Sequence, residues 1–218
     1  MTIKSNTRDI PMAPGSDLIR GRVQHVQSVP STPASHGEDS ERWGDFSAES
    51  VFDNEDYDDP RHDMSLADLA AESPGIRVVR YQNQDPEQAE VMALVQSAMF
   101  ASVEFLDFKR NFRSPSDADW AEIIASGHLS HLRFLGLDSC YGVADATLTA
   151  IASGAMPRLE ALELGSTDVT DDGLVLLADA TKTPSLGVVQ GMFMGKLTER
   201  GIETLASKRP DLVLRFTL

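Results

Sequence analysis

The sequence predicts a solenoid of the α/β class, built from repeated strand–helix units and preceded by a disordered N-terminal tail. A pattern of spaced apolar residues recurs from residue 76 onward at intervals of 27 to 29 residues, and an acidic pattern recurs between its copies. Before about residue 62, by contrast, the chain is rich in Ser, Pro and Asp and sustains no apolar periodicity. The 218 residues therefore divide into a predicted disordered tail, 1–62, and a repeat domain, 63–218.

The first repeated pattern predicts a short strand. An apolar residue is followed by further apolar residues three and five positions later, and then by a small or polar residue another three positions on. Its copies start at residues 76, 103, 132, 159 and 186, and a partial sixth copy begins at 212 or 213. The complete copies are Ile76, Val79, Tyr81 and Gln84; Val103, Leu106, Phe108 and Asn111; Leu132, Leu135, Leu137 and Cys140; Leu159, Leu162, Leu164 and Thr167; and Leu186, Val189, Gly191 and Met194.

The second pattern predicts a helix after each strand. An acidic residue is followed by apolar residues three and six positions later, and acids in a first turn favour the positive end of the helix dipole. These acids are Asp117, Asp145, Asp171 and Glu199. Thr170 and Thr198 stand just before two of them and are predicted N-caps. Stacking five to six such units, each of 26–29 residues, predicts a right-handed coil with its strands on the concave side.

Together the two patterns resemble the leucine-rich repeat family, in particular its ribonuclease-inhibitor-like and cysteine-containing subclasses. The segments closest to the family pattern are LEALEL at 159–164 and VTDDGL at 169–174. The resemblance extends over about residues 64–218. It implies a non-enzymatic protein-interaction module, an adaptor or scaffold that binds a protein partner through its concave strand face. The family has many unrelated functions, so the resemblance does not identify the partner.

Alternation along each strand predicts which side chains line the concave face. The third position of each unit is apolar, and two of these residues are aromatic, which suits the centre of an interface. Charged residues of both signs flank this row. The predicted partner-binding residues are Arg80, Phe105, Asp107, Lys109, Phe134, Asp138 and Glu163. The alternative is that Phe105 and Phe134 pack on each other and contribute to stability alone.

The tail changes its charge along its length. Residues 38–63 contain eleven acids against Arg42 and Arg61, and aromatic residues are spaced among the carboxylates. Those aromatic residues are Trp43, Phe46, Phe52 and Tyr57. The segment is either an acidic linker or a docking segment, which would bind the repeat domain of its own chain or a separate partner.

Composition argues against several classes of function. A formal net charge of −15 disfavours nucleic acids and anionic membranes as partners. No apolar run approaches the length of a membrane span, so membrane insertion is not expected. The single Cys predicts a reducing compartment such as the cytoplasm.

Neither a metal site nor a cofactor nor a catalytic group is predicted. His128, His131 and Cys140 are residue types that bind zinc, but Cys140 falls on the inward ninth position of its unit. No motif that activates a nucleophile or cradles a phosphate is present in the sequence. Two alternatives to the adaptor remain. One is a bacterial effector with a disordered secretion segment, secreted into a host cell without a classical signal peptide, and the other is an assembly factor for a larger complex.

Overall fold

The computed structural model describes residues 25–28, 76–80 and 85–218. Within them the chain is a mixed α/β structure. Its strands are β1 (His25–Ser28), β2 (Ile76–Arg80), β3 (Phe105–Asp107), β4 (Phe134–Gly136), β5 (Ala161–Glu163), β6 (Val188–Met192) and β7 (Val213–Thr217). Its α-helices are α1 (Gln88–Gln96), α2 (Asp117–Ala125), α3 (Asp145–Ala150), α4 (Asp171–Val175) and α5 (Glu199–Lys208).

The strands form one sheet in the order of the sequence, and β2 to β7 run parallel. Phe105 pairs with Phe134, Phe134 with Ala161 and Ala161 with Val188. Equivalent residues of neighbouring strands are thus 29, 27 and 27 positions apart, so the predicted strand intervals are confirmed. Parallel pairing requires a crossover between strands, and a helix supplies each one.

Strand β1 pairs antiparallel with β2, with His25 opposite Arg80. An open strand edge presents unpaired backbone groups, and β1 satisfies those on this edge of β2. These four residues belong to the segment predicted to be a disordered tail, and in this structure they are part of the sheet. The rest of residues 1–62 lies outside the described residues, so its disorder stays a prediction.

The main hydrophobic core lies between the sheet and the helices. Residues at the predicted inward positions, such as Leu106, Leu135 and Leu162, are fully buried in one continuous cluster. From the helix side, Trp120 packs its ring edge-to-face on Phe108 with centroids 5.1 Å apart. Burial of this kind drives folding because each unit covers the apolar face of its neighbour.

In three units the side chain at the ninth position donates to a backbone carbonyl. The Asn111 side-chain amide donates to the Phe108 carbonyl at 2.7 Å, and its oxygen accepts from the Asp85 N–H at 2.9 Å. The Cys140 thiol donates to the same Phe108 carbonyl at 3.2 Å. In the next unit Thr167 donates to the Leu164 carbonyl at 2.6 Å. These side chains therefore close the turns after the strands.

Helices begin at all four predicted acids. The Thr170 hydroxyl accepts from the Gly173 N–H, which confirms that N-cap. Thr198 also occupies the N-cap position of its helix, but its side chain makes no hydrogen bond to that helix. Its hydroxyl donates to Asp171 in the preceding unit at 2.6 Å instead.

The first-turn acids link neighbouring units. Asp117 accepts hydrogen bonds from the backbone N–H groups of Ala144, Ala146 and Thr147 at 2.8 to 2.9 Å, and from the Thr147 hydroxyl at 2.6 Å. Asp145 and Asp171 accept in the same way from the backbone and hydroxyl of Thr170 and Thr198. Asp117 thus caps the helix of the next unit, and Asp145 and Asp171 hold the N-cap threonines of the next helices, a role that the dipole argument from sequence does not contain. We call this series the aspartate ladder.

Replacement of Leu162 by Ala should lower the free energy of unfolding by about 2 to 5 kcal/mol. Leu162 is fully buried in a central strand, so truncation leaves a cavity between two neighbouring units. Chemical denaturation of the two chains measures the difference. Leu176→Ala is the matched control, since Leu176 is 41% exposed and should cost less than about 1 kcal/mol. A Leu162→Ala cost below about 0.5 kcal/mol would show that the inward positions are wrongly assigned.

Replacement of Asp117 by Asn should destabilise the protein by about 1 to 2 kcal/mol at neutral pH, because several donors then lose a charged acceptor. Burial alone would raise the pKa of Asp117, but hydrogen bonds from Thr147, Ala146 and Ala144 lower it overall. A lowered pKa gives stability that is present above the ordinary pKa of an unfolded Asp and is lost as the pH falls through the folded value. The difference between the two chains should therefore shrink on acidification. A pH-independent difference would contradict this account.

Candidate functional site

The face of the sheet opposite the main core carries a second apolar cluster, which we call the aromatic row: Phe105, Phe134, Ala161 and Val188. Phe105 and Phe134 stack with centroids 3.9 Å apart and planes 4° apart. Strand pairing aligns these residues, as the sequence predicts. Phe105 is 5% exposed, and Phe134 and Ala161 are 3% exposed. The row is thus excluded from solvent, whereas the sequence suggested an accessible apolar surface.

Strand residues alone make up this second cluster among the residues that the structure describes. The buried apolar side chains of the helices belong instead to the main core, on the other face. Strands β3, β4 and β5 are therefore buried on both faces. That is the usual condition of parallel strands, which are normally covered on each side.

An ion-pair ladder borders one side of the aromatic row. Arg77 pairs with Glu104, and Arg133 lies 3.6 Å from Glu104 and 2.6 Å from Glu160. The Arg133–Glu160 contact uses both carboxylate oxygens. Burial by itself would raise the pKa of Glu104, but the hydrogen bond and charge of Arg77 and the charge of Arg133 lower it overall. This ladder was not predicted, although the alternating signs at the second position of each unit are visible in the sequence.

Carboxylates border the other side of the row. Asp107 is 5% exposed and Glu163 is 7% exposed, and Asp138 lies beside them. The Lys109 ammonium approaches Glu163 at 3.7 Å, and Gln190 donates to the same carboxylate. Burial raises the pKa of Glu163, the Lys109 charge opposes that rise, and the Asp107 charge adds to it. Burial also raises the pKa of Asp138. The positive charge of Lys109 opposes this rise, and the negative charge of Asp107 adds to it.

The predicted partner-binding residues thus lie together on one face, but most of them are buried or partly buried, and Arg80 is placed by its backbone alone. Phe105, Phe134, Asp107 and Glu163 are buried, and Lys109 and Asp138 are partly buried. Arg80 is placed by its backbone, which pairs with Asp107 in register. The predicted docking residues of the tail, Trp43, Phe46, Phe52 and Tyr57, lie outside the described residues, and their docking stays a prediction.

Accessible apolar groups occur where the strands end. Phe112 and Tyr141 follow β3 and β4, with ring centroids 5.4 Å apart and 47% and 57% exposure. Met192 and Phe193, at the end of β6, are 56% and 71% exposed. We call these residues the carboxyl rim. Sequence analysis missed them, although aromatic residues at the same position of two neighbouring units are a signal that could have found Phe112 and Tyr141.

The backbone of this rim is unusual. Arg110, Ser139, Ser166 and Phe193 occupy equivalent positions and all have positive φ, between 51° and 63°. Their conformation lets the chain turn sharply while the N–H groups of Arg110, Ser139 and Ser166 still donate to the next unit. Because the conformation recurs in four units it belongs to the repeated turn, and Phe193 adopts it although it is unfavourable for a bulky residue.

Two of the possible zinc ligands, His131 and Cys140, make contacts within the fold. His131 makes a hydrogen bond of 2.8 Å with the Phe100 carbonyl and packs edge-on against the Phe100 ring. Cys140 is fully buried, and desolvation raises its thiol pKa to about 12. Between residues 85 and 218 and in the described strands β1 and β2, no three His, Cys, Asp or Glu side chains are grouped to hold a metal ion. No helix among the described residues is long and apolar enough to cross a bilayer.

Comparison with known proteins gives little. No protein-family model matches the chain, and no curated protein matches it either. Among solved structures, it is similar to a chain in the crystal structure of the Rad7 and Elc1 complex in yeast, with 23% sequence identity and a TM-score of 0.48. The match covers 61% of this chain and 31% of that one. A similarity at this level identifies neither a family nor a partner.

Replacement of Asp138 by Asn should raise the midpoint of thermal unfolding at neutral pH. Because the pKa of Asp138 is raised in the folded protein, its ionised carboxylate destabilises the fold above that pKa. This destabilisation is lost as the pH falls through the folded pKa and the carboxylate is protonated. The parent chain should therefore gain stability relative to the variant on acidification from pH ~7 toward the ordinary Asp pKa of about 4. Thermal scans across this range check it, with Glu203→Gln on exposed α5 as control. A variant less stable than the parent at neutral pH would contradict the prediction.

Proposed function

We propose that the protein is a non-enzymatic protein-interaction module of the leucine-rich repeat type, a right-handed coil of five to six units of 26–29 residues. The support is the repeated strand register, the repeated inward apolar positions and the aspartate ladder, which recur together along the described chain. It acts as an adaptor or scaffold that binds a protein partner.

Exposed apolar groups at the carboxyl rim carry this proposal. Phe112 and Tyr141 contact each other at the surface, and Met192 and Phe193 extend from the same edge of the sheet two units away. Exposed aromatic residues that lie together mark interaction sites, and Phe193, which is 71% exposed, contributes nothing evident to the core. The partner-binding surface therefore includes this rim as well as the polar part of the strand face next to it.

Basic residues give this surface a charge preference. Lys109, Arg110 and Arg113 surround Phe112 in sequence, and Arg110 and Arg113 are exposed. In a chain with a net charge of −15, this turn is locally basic. A partner segment with aromatic or aliphatic side chains fits the rim, and its carboxylates would lie at the exposed Arg110 and Arg113, away from the carboxylates of the strand face, because opposite charges steer encounter and apolar contacts supply affinity.

The non-enzymatic character is part of the same proposal. The thiol of Cys140 has its pKa raised to about 12 and is buried, so it is not available as a thiolate nucleophile at neutral pH. The imidazole of His131 is held against Phe100. The effector and assembly-factor alternatives depend on the composition of the tail and on the partner, and no described contact favours either.

A photo-crosslinking amino acid placed at Tyr141 should capture a partner that the same group at Glu203, on the helix side, does not. Once the partner is identified, the double variant Phe112→Ser, Tyr141→Ser should weaken binding at least about 30-fold, as expected when interface aromatics are removed. Titration calorimetry with the purified partner measures this change.

The matched control for that titration is Leu176→Ser, which removes an exposed apolar side chain on the helix side and should leave the affinity within about twofold. Two results would overturn the assignment of the rim: capture from Glu203 but not from Tyr141, or equal affinity of the rim variant and the parent chain.

A further inference from the structure

We propose that the outer edge of β7 is a second docking surface, which binds an extended acidic segment of a protein partner as an added strand. The inference goes beyond the proposed function, which concerns the carboxyl rim. It rests on that function only in taking the partner to be a protein. The contact is tested with a peptide at β7, so its failure and a failure of the rim assignment are separate results.

Strand β7 lies at one edge of the sheet, and among the described residues it has a neighbour on one side only. Its pairing with β6 is regular from Val213 to Thr217. It contains neither a Pro nor a bulge, which are common devices that block an edge strand. At the opposite edge of the sheet, by contrast, the antiparallel strand β1 covers β2. The outer edge of β7 is thus a regular template for a further strand.

Alternate residues of β7 direct their backbone groups away from β6. The Val213 N–H donates to the Gly187 carbonyl at 2.8 Å, so the backbone groups of Val213 point toward β6. Since backbone groups of successive strand residues point to opposite sides, those of Leu214 and Phe216 point to the outer edge. Within the part of the chain that the structure describes, no strand lies there to pair with them. An added strand would give these two N–H groups and two carbonyls their partners.

Apolar side chains along this edge favour burial under a further strand. Leu214 and Phe216 pack against the main core but remain partly exposed. The Phe216 ring lies beside Gly191, where a Cβ atom would be 3.3 Å from it. On the other side of the strand Val213 is 45% exposed, and Leu218, which follows the strand, is 51% exposed. An added strand with apolar residues at alternate positions would cover Leu214 and Phe216 as each unit covers its neighbour.

Charge selects the chemistry of the added strand. Arg215, at the centre of β7, is exposed and forms no ion pair with another described residue. A carboxylate directly opposite Arg215 on an added strand would pair with it. The occupant therefore carries an acidic residue at the centre of its extended segment.

The unit that ends in β7, residues 186–218, is also locally basic in a chain with a net charge of −15. Its basic residues outnumber its acidic ones: Lys196, Arg200, Lys208, Arg209 and Arg215 against Glu199, Glu203 and Asp211. Like charges oppose the pairing of two identical edges, whereas an acidic segment is attracted. The charges of this unit thus favour an acidic partner segment over a second copy of the chain.

The carboxylates of the strand face lie too far from this edge to oppose an acidic strand. Glu163 on β5 pairs in register with Gln190 on β6, which pairs with Arg215 on β7. A strand added outside β7 would be three strand spacings from β5, or about 14 Å. The Debye length is about 8 Å at physiological ionic strength, so this repulsion is largely screened.

Binding of a designed peptide to the full-length protein tests the proposal. The probe is acetyl-EVEVEVE-amide, whose valines match Leu214 and Phe216 when a glutamate faces Arg215, and the comparison probe is acetyl-KVKVKVK-amide. Nuclear magnetic resonance titrations should show at least about 10-fold tighter binding of the Glu peptide. That peptide should slow amide hydrogen exchange at Leu214 and Phe216, but should change it little at Val213, whose N–H already donates to Gly187.

Charge reversal at Arg215 gives the sharpest variant. Arg215→Glu should reverse the preference, so that the Lys peptide binds more tightly. Because Arg215 is exposed, the repeat domain should stay folded, which far-UV circular dichroism checks. Arg200→Glu makes the same charge change at an exposed position of α5 and is the matched control, which should keep the preference of the parent chain. A Glu peptide N-methylated at alternate residues should no longer slow exchange at Leu214 and Phe216.

Three results would overturn the proposal. No binding of the Glu peptide, or binding that leaves exchange at Leu214 and Phe216 unchanged, would show that β7 does not accept an acidic strand. An unaltered preference in the Arg215→Glu chain would show that charge does not select the occupant. A dimer in sedimentation of the parent chain, with Leu214 and Phe216 already protected, would make a second copy the occupant. None of these results involves Phe112 or Tyr141, so the crosslinking experiment decides partner binding at the rim separately.

Discussion

A strand of three residues cannot bury an apolar face by itself, and this constraint shapes the whole molecule. Each of β3, β4 and β5 is stable because its neighbours stand in register 27 or 29 residues away and supply both hydrogen bonds and apolar cover. Everything else that repeats follows from this stacking. The inward leucines, the polar ninth position and the aspartate ladder all join a residue of one unit to the unit beside it.

Polar groups on the strand face are arranged at a cost to stability. Asp138 and Glu163 have raised pKa values because burial opposes their charge, and the Lys109 ammonium offsets this incompletely. On the other side of the aromatic row, the Arg77–Glu104–Arg133–Glu160 ladder balances its charges. Positive and negative charges are therefore equal in number on one border of the row, whereas carboxylates are in excess on the other. This excess repels a ligand that brings further negative charge close to it, which helps the face to discriminate among ligands.

Much of the fold could be predicted from the sequence, because repetition multiplies a weak local signal. One unit with the spacing of Leu132, Leu135 and Leu137 would not predict a strand. The same spacing in five units does predict the strands, their inward faces and the helix starts. The accessibility of the strand face could not be predicted, since the burial of Phe105 and Phe134 depends on what packs over them and not on their own spacing. The partner of the Thr198 hydroxyl could not be predicted for a similar reason: Thr198 is the N-cap of its helix, but its hydroxyl donates to Asp171 of the preceding unit. The carboxyl rim was not predicted because its aromatic residues lie outside the inward apolar pattern, and Phe112 and Tyr141 recur at one position in only two units.

The aspartate ladder also determines how the fold loses structure. Its hydrogen bonds, like the pairs among strands β2 to β7, join residues about 25 to 30 positions apart. A chain held by contacts with nearest neighbours behaves as a one-dimensional array, in which units with two neighbours are protected and terminal units open first. Amide hydrogens of β4 and β5 should therefore exchange most slowly and those of β7 and α5 sooner. Folding can begin in any pair of adjacent units, because each pair supplies its own strand and core contacts.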